Sequence, residues 1–176
     1  PPKTSSAASD VYKRQQLRDL TFWGLGSLAG ASWAKVIVAG PLIGIAILFA
    51  ARLGHGLNAL ALGEATAAHI GVATQKLKNK AIFTVAAATG IAVAVSGGIG
   101  FIGIVVPHLV RQLIGPDHRT LIVNSGLLGA IILVLADVIS RIIVAPAELP
   151  IGIITAVIGA PVFLWILLSN RREGNW

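Results

Sequence analysis

The run AIFTVAAATGIAVAVSGGIGFIGIVVPHLV, residues 81–110, contains no Lys, Arg, Asp or Glu. About 20 apolar residues already form a helix that crosses the hydrocarbon core of a membrane. Gly97 and Gly98 interrupt the run after about one helix length. Basic loops flank the run on both sides, and basic loops are expected on the same side of a membrane. The sequence therefore predicts that residues 81–96 cross outward and that residues 99–113 return as a short helix enclosed by protein.

The composition of the whole chain agrees with a membrane protein. Of its 176 residues, 55% are hydrophobic and 12% are charged, and its mean hydropathy is +0.83. A soluble domain is about 25% charged and needs a mostly polar surface. We therefore predict an all-α fold, a polytopic bundle of transmembrane helices. The absence of cysteine also excludes thiolate metal sites and thiol catalysis.

Three further spans follow from the other charge-free runs, and we place them at about residues 33–51, 120–143 and 150–168. The positive-inside rule puts the basic loops 52–80 and 107–119 and the basic C-terminal end in the cytoplasm. Residues 17–30 then lie at the outer face, because they are too short and too rich in glycine to span. Residues 1–15 are polar and match nothing that follows. We expect them to be a tail outside the fold, either artefactual or disordered, with the membrane domain covering residues 16–176.

The charge and motif content exclude several other function classes. Fourteen Lys and Arg against seven Asp and Glu give a net charge of +7, which membrane topology explains without nucleic acid. No GxxxxGK[ST] phosphate loop occurs, so the chain itself is not expected to hydrolyse ATP. No nucleophile–base pair is visible, so we expect no enzyme and no catalytic residue. The four histidines show no metal-ligand spacing, and we expect neither a metal nor a cofactor.

The cytoplasmic connector at about residues 56–80 mixes apolar and polar residues, which predicts short helices at the membrane surface. Within it, one acid between glycines indicates a compact exposed element. Its residues are Leu62, Gly63, Glu64, Ala68 and Gly71. The alternative interpretation is an interfacial helix with a solvated Glu64.

The second cytoplasmic turn carries polar residues at its ends, which are His108, Arg111, Asp117, His118 and Arg119. A Gly-x-Asp sequence forms a turn, and Asp117 is placed to cap the next helix. For the histidines, packing with a hydrogen bond is favoured over metal binding.

Two further groups of residues lie toward the predicted outer face. Asp137 and Arg141 are four residues apart on one helix face, which indicates either a local ion pair or a charge for docking. The last span begins after Glu148-Leu149-Pro150, and its Pro161 kinks the helix. Candidates for a pathway wall or gate, or alternatively for tight packing, are Trp23, Gly152, Thr155, Gly159 and Pro161.

Seven short motifs, taken in order, resemble the C-terminal half of the FecCD-type permeases, which are the membrane subunits of importers for ferric siderophores, haem and cobalamin. The likeness covers residue 16 to the end. The motifs are Leu60-Ala61-Leu62-Gly63-Glu64, Gly100-Phe101-Ile102-Gly103, Pro107-His108-Leu109-Val110-Arg111, Gly115-Pro116-Asp117-His118-Arg119, Ala136-Asp137 with Arg141, Glu148-Leu149-Pro150-Ile151-Gly152 and Gly159-Ala160-Pro161-Val162-Phe163.

The resemblance implies a fragment of a type II ABC importer permease of about ten helices in a bacterial inner membrane. It implies a homodimer with the translocation pathway between its subunits, embedded in lipid. A separate cytoplasmic ATPase would bind the Leu62-Gly63-Glu64 segment, and a periplasmic or lipid-anchored binding protein would meet Arg141. The competing hypothesis is a fragment of a secondary transporter, which an acid in the middle of the pathway would favour.

Overall fold

Helices account for nearly all of the chain that the structure describes. A computed structural model describes residues 12–173 apart from 14, 18, 19, 22, 29 and 144–148, and gives only the backbone of 167 and 169–173. The described residues contain no strand, as predicted for an all-α fold. The helices are α1 (Trp33–Ala61), α2 (Glu64–His69), α3 (Thr74–Ser96), α4 (Ile102–Ile114), α5 (His118–Ile143) and α6 (Ile151–Glu173).

Three of these helices are long and apolar enough to cross a membrane, namely α1, α3 and α5. Helix α4 has 13 residues, which at 1.5 Å per residue is about 20 Å against a hydrocarbon core of about 30 Å. Its buried side chains Val106 and Val110 pack against Leu121 of α5, and α4 also contacts α6. The short helix after Gly98 is therefore enclosed on two sides by protein, as the sequence predicted.

The chain reversals lie on two opposite faces of the bundle. On one face, a Cβ added to Gly56 of α1 would touch the Leu77 side chain of α3, and one added to Gly54 would touch Arg119 of α5. On the other face, the Ser27 amide donates to the Ser96 carbonyl over 2.9 Å. We name these the basic face and the outer face. The basic face holds both positively charged loops, which the positive-inside rule predicts to be cytoplasmic.

The connector between α1 and α3 is shorter than predicted, because charges mark where a helix leaves lipid and not where it ends. Helix α1 continues to Ala61, past the predicted end at residue 51, and α3 begins at Thr74 rather than at 81. The predicted connector 56–80 therefore contracts to residues 62–73. Beyond the lipid, Gly54 and Gly56 let the neighbouring helices pack closely on α1, which explains why it stays helical. The other bounds differ from the predicted 99–113, 120–143 and 150–168 by a few residues.

Candidate functional site

The segment between α1 and α3, residues 62–73, is set off by glycines whose backbone other residues rarely adopt. We name it the coupling segment. Gly63 precedes α2 with φ of 109° and ψ of 150°, and Gly71 follows α2 with φ of 85°. Such positive φ values cost a residue with a Cβ about 1–3 kcal/mol. The two glycines therefore fix the direction in which α2 leaves α1.

The coupling segment is anchored by one buried residue of α2 and exposes apolar residues on either side of that helix. Ala67 is fully buried, whereas Leu62 and Ile70 are 71% and 62% exposed. Glu64 forms an ion pair with Lys78 in the first turns of α3, and an exposed pair of this kind contributes at most about 1 kcal/mol. The exposed Ala68 lies one turn after Glu64. The predicted coupling residues thus share one small surface, on which Glu64 is paired with Lys78 and stays more than half exposed.

A cluster of polar side chains joins the end of α1 to the start of α5, and we name it the α1–α5 junction. It consists of His55, Asn58, Asp117, His118 and Arg119. The Asn58 amide nitrogen donates to Asp117 Oδ1 over 2.7 Å. Its oxygen accepts from the His118 backbone N–H over 2.8 Å and lies 2.7 Å from His118 Nδ1. Because that oxygen only accepts, His118 Nδ1 carries the proton.

Asp117 caps α5, as its Gly-x-Asp sequence predicted. Its Oδ1 accepts from the Arg119 backbone N–H over 2.9 Å. The hydrogen bond from Asn58, followed by the one from the Arg119 amide, lowers the pKa of the Asp117 carboxyl below its usual value of 3.8. Beside this pair, Arg119 Nη2 donates to His55 Nδ1 over 2.8 Å. The first turn of α5 is thus held both by its own cap and by two side chains of α1.

The lowered pKa of Asp117 predicts that its contribution to the stability of the fold is lost in the acid range. A carboxyl whose pKa is lower in the folded state stabilises the fold above its unfolded value of about 3.9 and loses that effect as pH falls through the folded value. The stability difference between the wild type and Asp117→Asn is therefore expected to shrink below about pH 4. Unfolding in detergent across the acid range measures it, and a difference that stayed the same as pH fell through this range would contradict the assignment.

The remaining residues of the second cytoplasmic turn do not join the junction. His108 Nε2 lies 3.1 Å from Gln112 Nε2 within α4, and Arg111 is exposed near the end of that helix. Among the described residues, no group of three or more acidic, histidine or cysteine side chains is arranged to hold a metal ion. His55, His108 and His118 each lie within hydrogen-bond distance of a neighbouring side chain.

On the outer face, three chain segments meet backbone to backbone. A Cβ on Gly97 would overlap the Trp23 carbonyl oxygen, and a Cβ on Gly152 would overlap that of Leu25. Gly26, with φ of 73°, has the Gly98 carbonyl oxygen 2.8 Å from its added Cβ position. We name this contact the glycine junction. It brings together Trp23 and Gly152, which the sequence singled out separately.

An apolar cavity of about 260 Å³ lies between α4, α5 and α6. Its lining includes Thr155, Gly159 and Phe101. The Thr155 hydroxyl donates to the Gly152 carbonyl over 3.1 Å within its own helix, so it offers little to a polar ligand. Phe101 has φ of 66°, which is uncommon for a residue with a side chain. A Cβ added to Gly159 would lie only 2.5 Å from the Cβ of Phe101. Pro161, the remaining candidate for the pathway wall, is exposed.

Arg141 lies in the last turn of α5, on the outer face. Its Nε donates to Asp137 Oδ2 over 2.9 Å, and the Arg141 side chain is 55% exposed whereas that of Asp137 is 23% exposed. Just before this pair, Ala136 packs with Ile151 at the start of α6 and with Leu28 of the outer segment. The local ion pair predicted from the spacing is present, and the guanidinium still reaches the surface. Glu148 lies outside the described residues.

Comparison with known families settles the relationship of this chain. Residues 4–169 match the FecCD transport family. The chain belongs to this family. It is 44% identical over 159 residues to a hemin transport system permease protein of Yersinia pestis, with 90% of this chain and 48% of the relative aligned. It is 42% identical over 156 residues to a vitamin B12 import system permease protein of Citrobacter koseri, with 89% and 47% aligned.

A solved structure shares the fold of this family member. A metal-chelate type ABC transporter in an inward-facing conformation superposes with a TM-score of 0.81 at 35% identity, covering 87% of this chain and 49% of the other. The chain thus spans about half the length of the relatives it matches. Bacterial relatives and three helices able to span a membrane identify a multi-pass protein of the bacterial cell membrane.

Three residues of these sites were missed by sequence reasoning, namely His55, Asn58 and Lys78. His55 and Asn58 are three residues apart and therefore share a face of α1, which was the signal available for them. Their partners lie about sixty positions later in the chain. Lys78 was used only as a loop charge, and nothing in its sequence indicated that it pairs with Glu64.

Proposed function

We propose that this FecCD family member is a transmembrane permease of an ABC importer. It forms part of a translocation pathway for an iron chelate, such as haem or a ferric siderophore, or for cobalamin. A separate ATPase supplies ATP hydrolysis, and the permease is not itself an enzyme. The observation that carries the proposal is the coupling segment, a protruding helix held between two membrane-spanning helices on the basic face. Its relatives named as hemin and vitamin B12 permeases support the substrate class.

The coupling segment has the properties that docking to a cytoplasmic partner requires. It presents the apolar side chains Leu62 and Ile70 to solvent, beyond the membrane-facing part of α1. Exposed apolar groups beside a charged rim are typical of protein interfaces. The glycines at 63 and 71 fix its direction, so a force on α2 is transmitted to both α1 and α3. We propose that Leu62, Gly63, Glu64, Ala68 and Gly71 bind the ATPase.

The pathway side of the proposal rests on the walls near α6. The cavity beside Thr155 and Gly159 is almost wholly apolar, which suits the passage of a large chelate better than tight binding. Trp23 and Gly152 lie at the glycine junction at its outer side, where a gate would act. We further propose that a second copy of the permease completes the pathway within the lipid, and that a binding protein delivers the chelate at Arg141.

The competing hypothesis of a secondary transporter gains no support from the site geometry. Asp137 is the only acid inside a predicted span. It does not lie at the membrane midplane but near the outer end of α5, where Arg141 neutralises it. A coupling acid for ions or protons is expected near the midplane. Uptake that depends on ATP rather than on an ion gradient distinguishes the two hypotheses.

Uncoupling variants of the coupling segment test the proposal. In proteoliposomes with the assembled permease, ATPase and binding protein, Gly71→Leu is expected to lower ATP-dependent haem or cobalamin uptake at least tenfold. The reason is that Gly71 has a positive φ, with no atom near its added Cβ, so the change acts on the direction of α2. Glu64→Ala, which breaks the pair with Lys78, is expected to act in the same direction more weakly.

The matched control is Gly90→Leu in α3. Gly90 also has open space around its Cβ position but no positive φ, so uptake is expected to stay within about twofold of the wild type. Docking of the binding protein is expected to survive in Gly71→Leu and in Glu64→Ala. Wild-type uptake in Gly71→Leu and Glu64→Ala would reduce the coupling segment to a simple connector.

A further inference from the structure

The α1–α5 junction lies between the coupling segment and the helix that carries Arg141. It lies one turn before the coupling segment along α1 and at the first residue of α5. Helix α5 has 26 residues, which at 1.5 Å each is about 39 Å, enough to cross the membrane. Its far end carries Arg141. The junction is thus the point where the coupling segment meets a long helix that reaches the outer face.

A single amide makes the connection. Asn58 donates to Asp117 and accepts from both the backbone N–H and the ring of His118, at 2.7 Å, 2.8 Å and 2.7 Å. The N–H of His118 is one of the first in α5, which have no partner inside the helix. Asn58 therefore supplies from α1 a capping bond to the His118 N–H, in addition to the cap that Asp117 provides to the Arg119 N–H. Its bonds constrain the position of α5 in two directions at once.

Backbone packing beside Asn58 makes this contact stiff. A Cβ on Gly54 would lie 3.0 Å from both the Cα and the N of Arg119, so the two helices already touch without intervening side chains. The next residue, His55, receives a hydrogen bond from the Arg119 side chain over 2.8 Å. Closely packed helices joined by satisfied polar groups move together rather than slide.

We infer that Asn58 is a positioning residue that ties the coupling segment to α5, so that α1 and α5 move as one body between the ATPase side and the outer face. This inference rests on the proposed function, because it names the route by which that coupling reaches Arg141. We assign Asn58 no contact with the ATPase or the chelate. It acts by keeping the end of α1 and the start of α5 in register.

An exchange of the two polar groups tests the inference. Asn58→Asp places a carboxylate against Asp117 and is expected to lower binding-protein stimulation of ATP hydrolysis at least tenfold, with ATPase association unchanged. Combining it with Asp117→Asn removes the repulsion between the two carboxylates. The amide introduced at position 117 then donates to the new carboxylate in place of capping the Arg119 N–H, because Asp117 Oδ1 accepts both bonds in the wild type, and the new carboxylate still accepts from His118. The double variant is expected to recover stimulation to within threefold of the wild type. Asn79→Ala is the control, because Asn79 bonds to Gln75 within its own helix.

A distance measurement in membranes provides a readout independent of transport. The chain has no cysteine, so spin labels can be attached at introduced cysteines replacing the exposed Ala61 and Val123. The distance distribution is expected to be narrow in the wild type, with or without ATP, and at least twice as wide in Asn58→Ala. Asn58→Ala introduces no second carboxylate. Its distance distribution therefore tests the positioning role even if Asn58→Asp yields too little folded protein.

The outcomes separate this inference from the proposed function. Normal stimulation in Asn58→Asp, or a double variant no better than the single one, overturns the positioning role. Equal widths in the wild type and Asn58→Ala overturn it too, whatever the transport result. A wild-type assembly that hydrolyses ATP without responding to the binding protein contradicts the proposed function instead, and the label distances still decide whether α1 and α5 move together.

Discussion

Replacing Gly97 by alanine is expected to abolish the folded arrangement of the outer face. Gly97 ends α3 with φ of 74° and ψ of −169°, a region that is essentially limited to glycine and costs other residues about 1–3 kcal/mol. The new methyl group would also overlap the Trp23 carbonyl oxygen. That oxygen belongs to the backbone, so no side-chain rotation relieves the overlap, and the outer segment must separate from the start of α4.

The matched control is Gly90→Ala, two turns earlier in the same helix. Gly90 has helical backbone angles and open space around its Cβ position, so alanine there is expected to be neutral or slightly stabilising. The measurement is the yield of monodisperse protein in detergent together with its thermal unfolding midpoint. Gly97→Ala is expected to lower the yield at least tenfold, and a midpoint within a few degrees of the wild type would contradict the glycine junction.

The break at Gly97 and Gly98 illustrates how much of the fold the sequence predicts. An uncharged run longer than one span, with basic loops on both sides, requires an even number of crossings, and two adjacent glycines marked the reversal. The structure agrees, with α3 ending at Ser96 and α4 beginning at Ile102. The cap at Asp117 was also predictable, because its signal is local. Both features follow from neighbouring residues and the membrane boundary alone.

Contacts between distant segments were beyond this reasoning. The sequence indicated Gly152 and Gly159 either as a pathway wall or as sites of tight packing, but not that Gly152 would meet the Leu25 carbonyl and Gly159 the Phe101 side chain. The period of a helix tells which residues share a face, but not which face meets a neighbour. The pairing of Asn58 with Asp117 could not be predicted either, because it depends on how α1 and α5 come together.

Removal of the Arg141 side chain is expected to weaken docking of the binding protein strongly. Its local pair with Asp137 is partly exposed and contributes at most about 1 kcal/mol, so the fold and its insertion are expected to tolerate a change. A pair formed with a carboxylate of a docked binding protein is desolvated, and truncating one partner of such a pair costs about 2–5 kcal/mol. Arginine suits this role because its guanidinium stays charged and binds carboxylates through two nitrogens.

Arg141→Ala is therefore expected to weaken docking of the binding protein at least tenfold, which corresponds to about 1.4 kcal/mol. Arg141→Glu is expected to be worse, since it opposes like charges, and to be partly rescued by a basic residue introduced on the binding protein. The control is Lys35→Ala, which removes the same charge near the outer end of α1, where Lys35 donates to the Gly30 carbonyl. Docking affinity at low and high salt is the measurement, because an interfacial ion pair loses strength when screened. If Arg141→Ala leaves both the affinity and its salt dependence at the wild-type values, Arg141 has no part in docking.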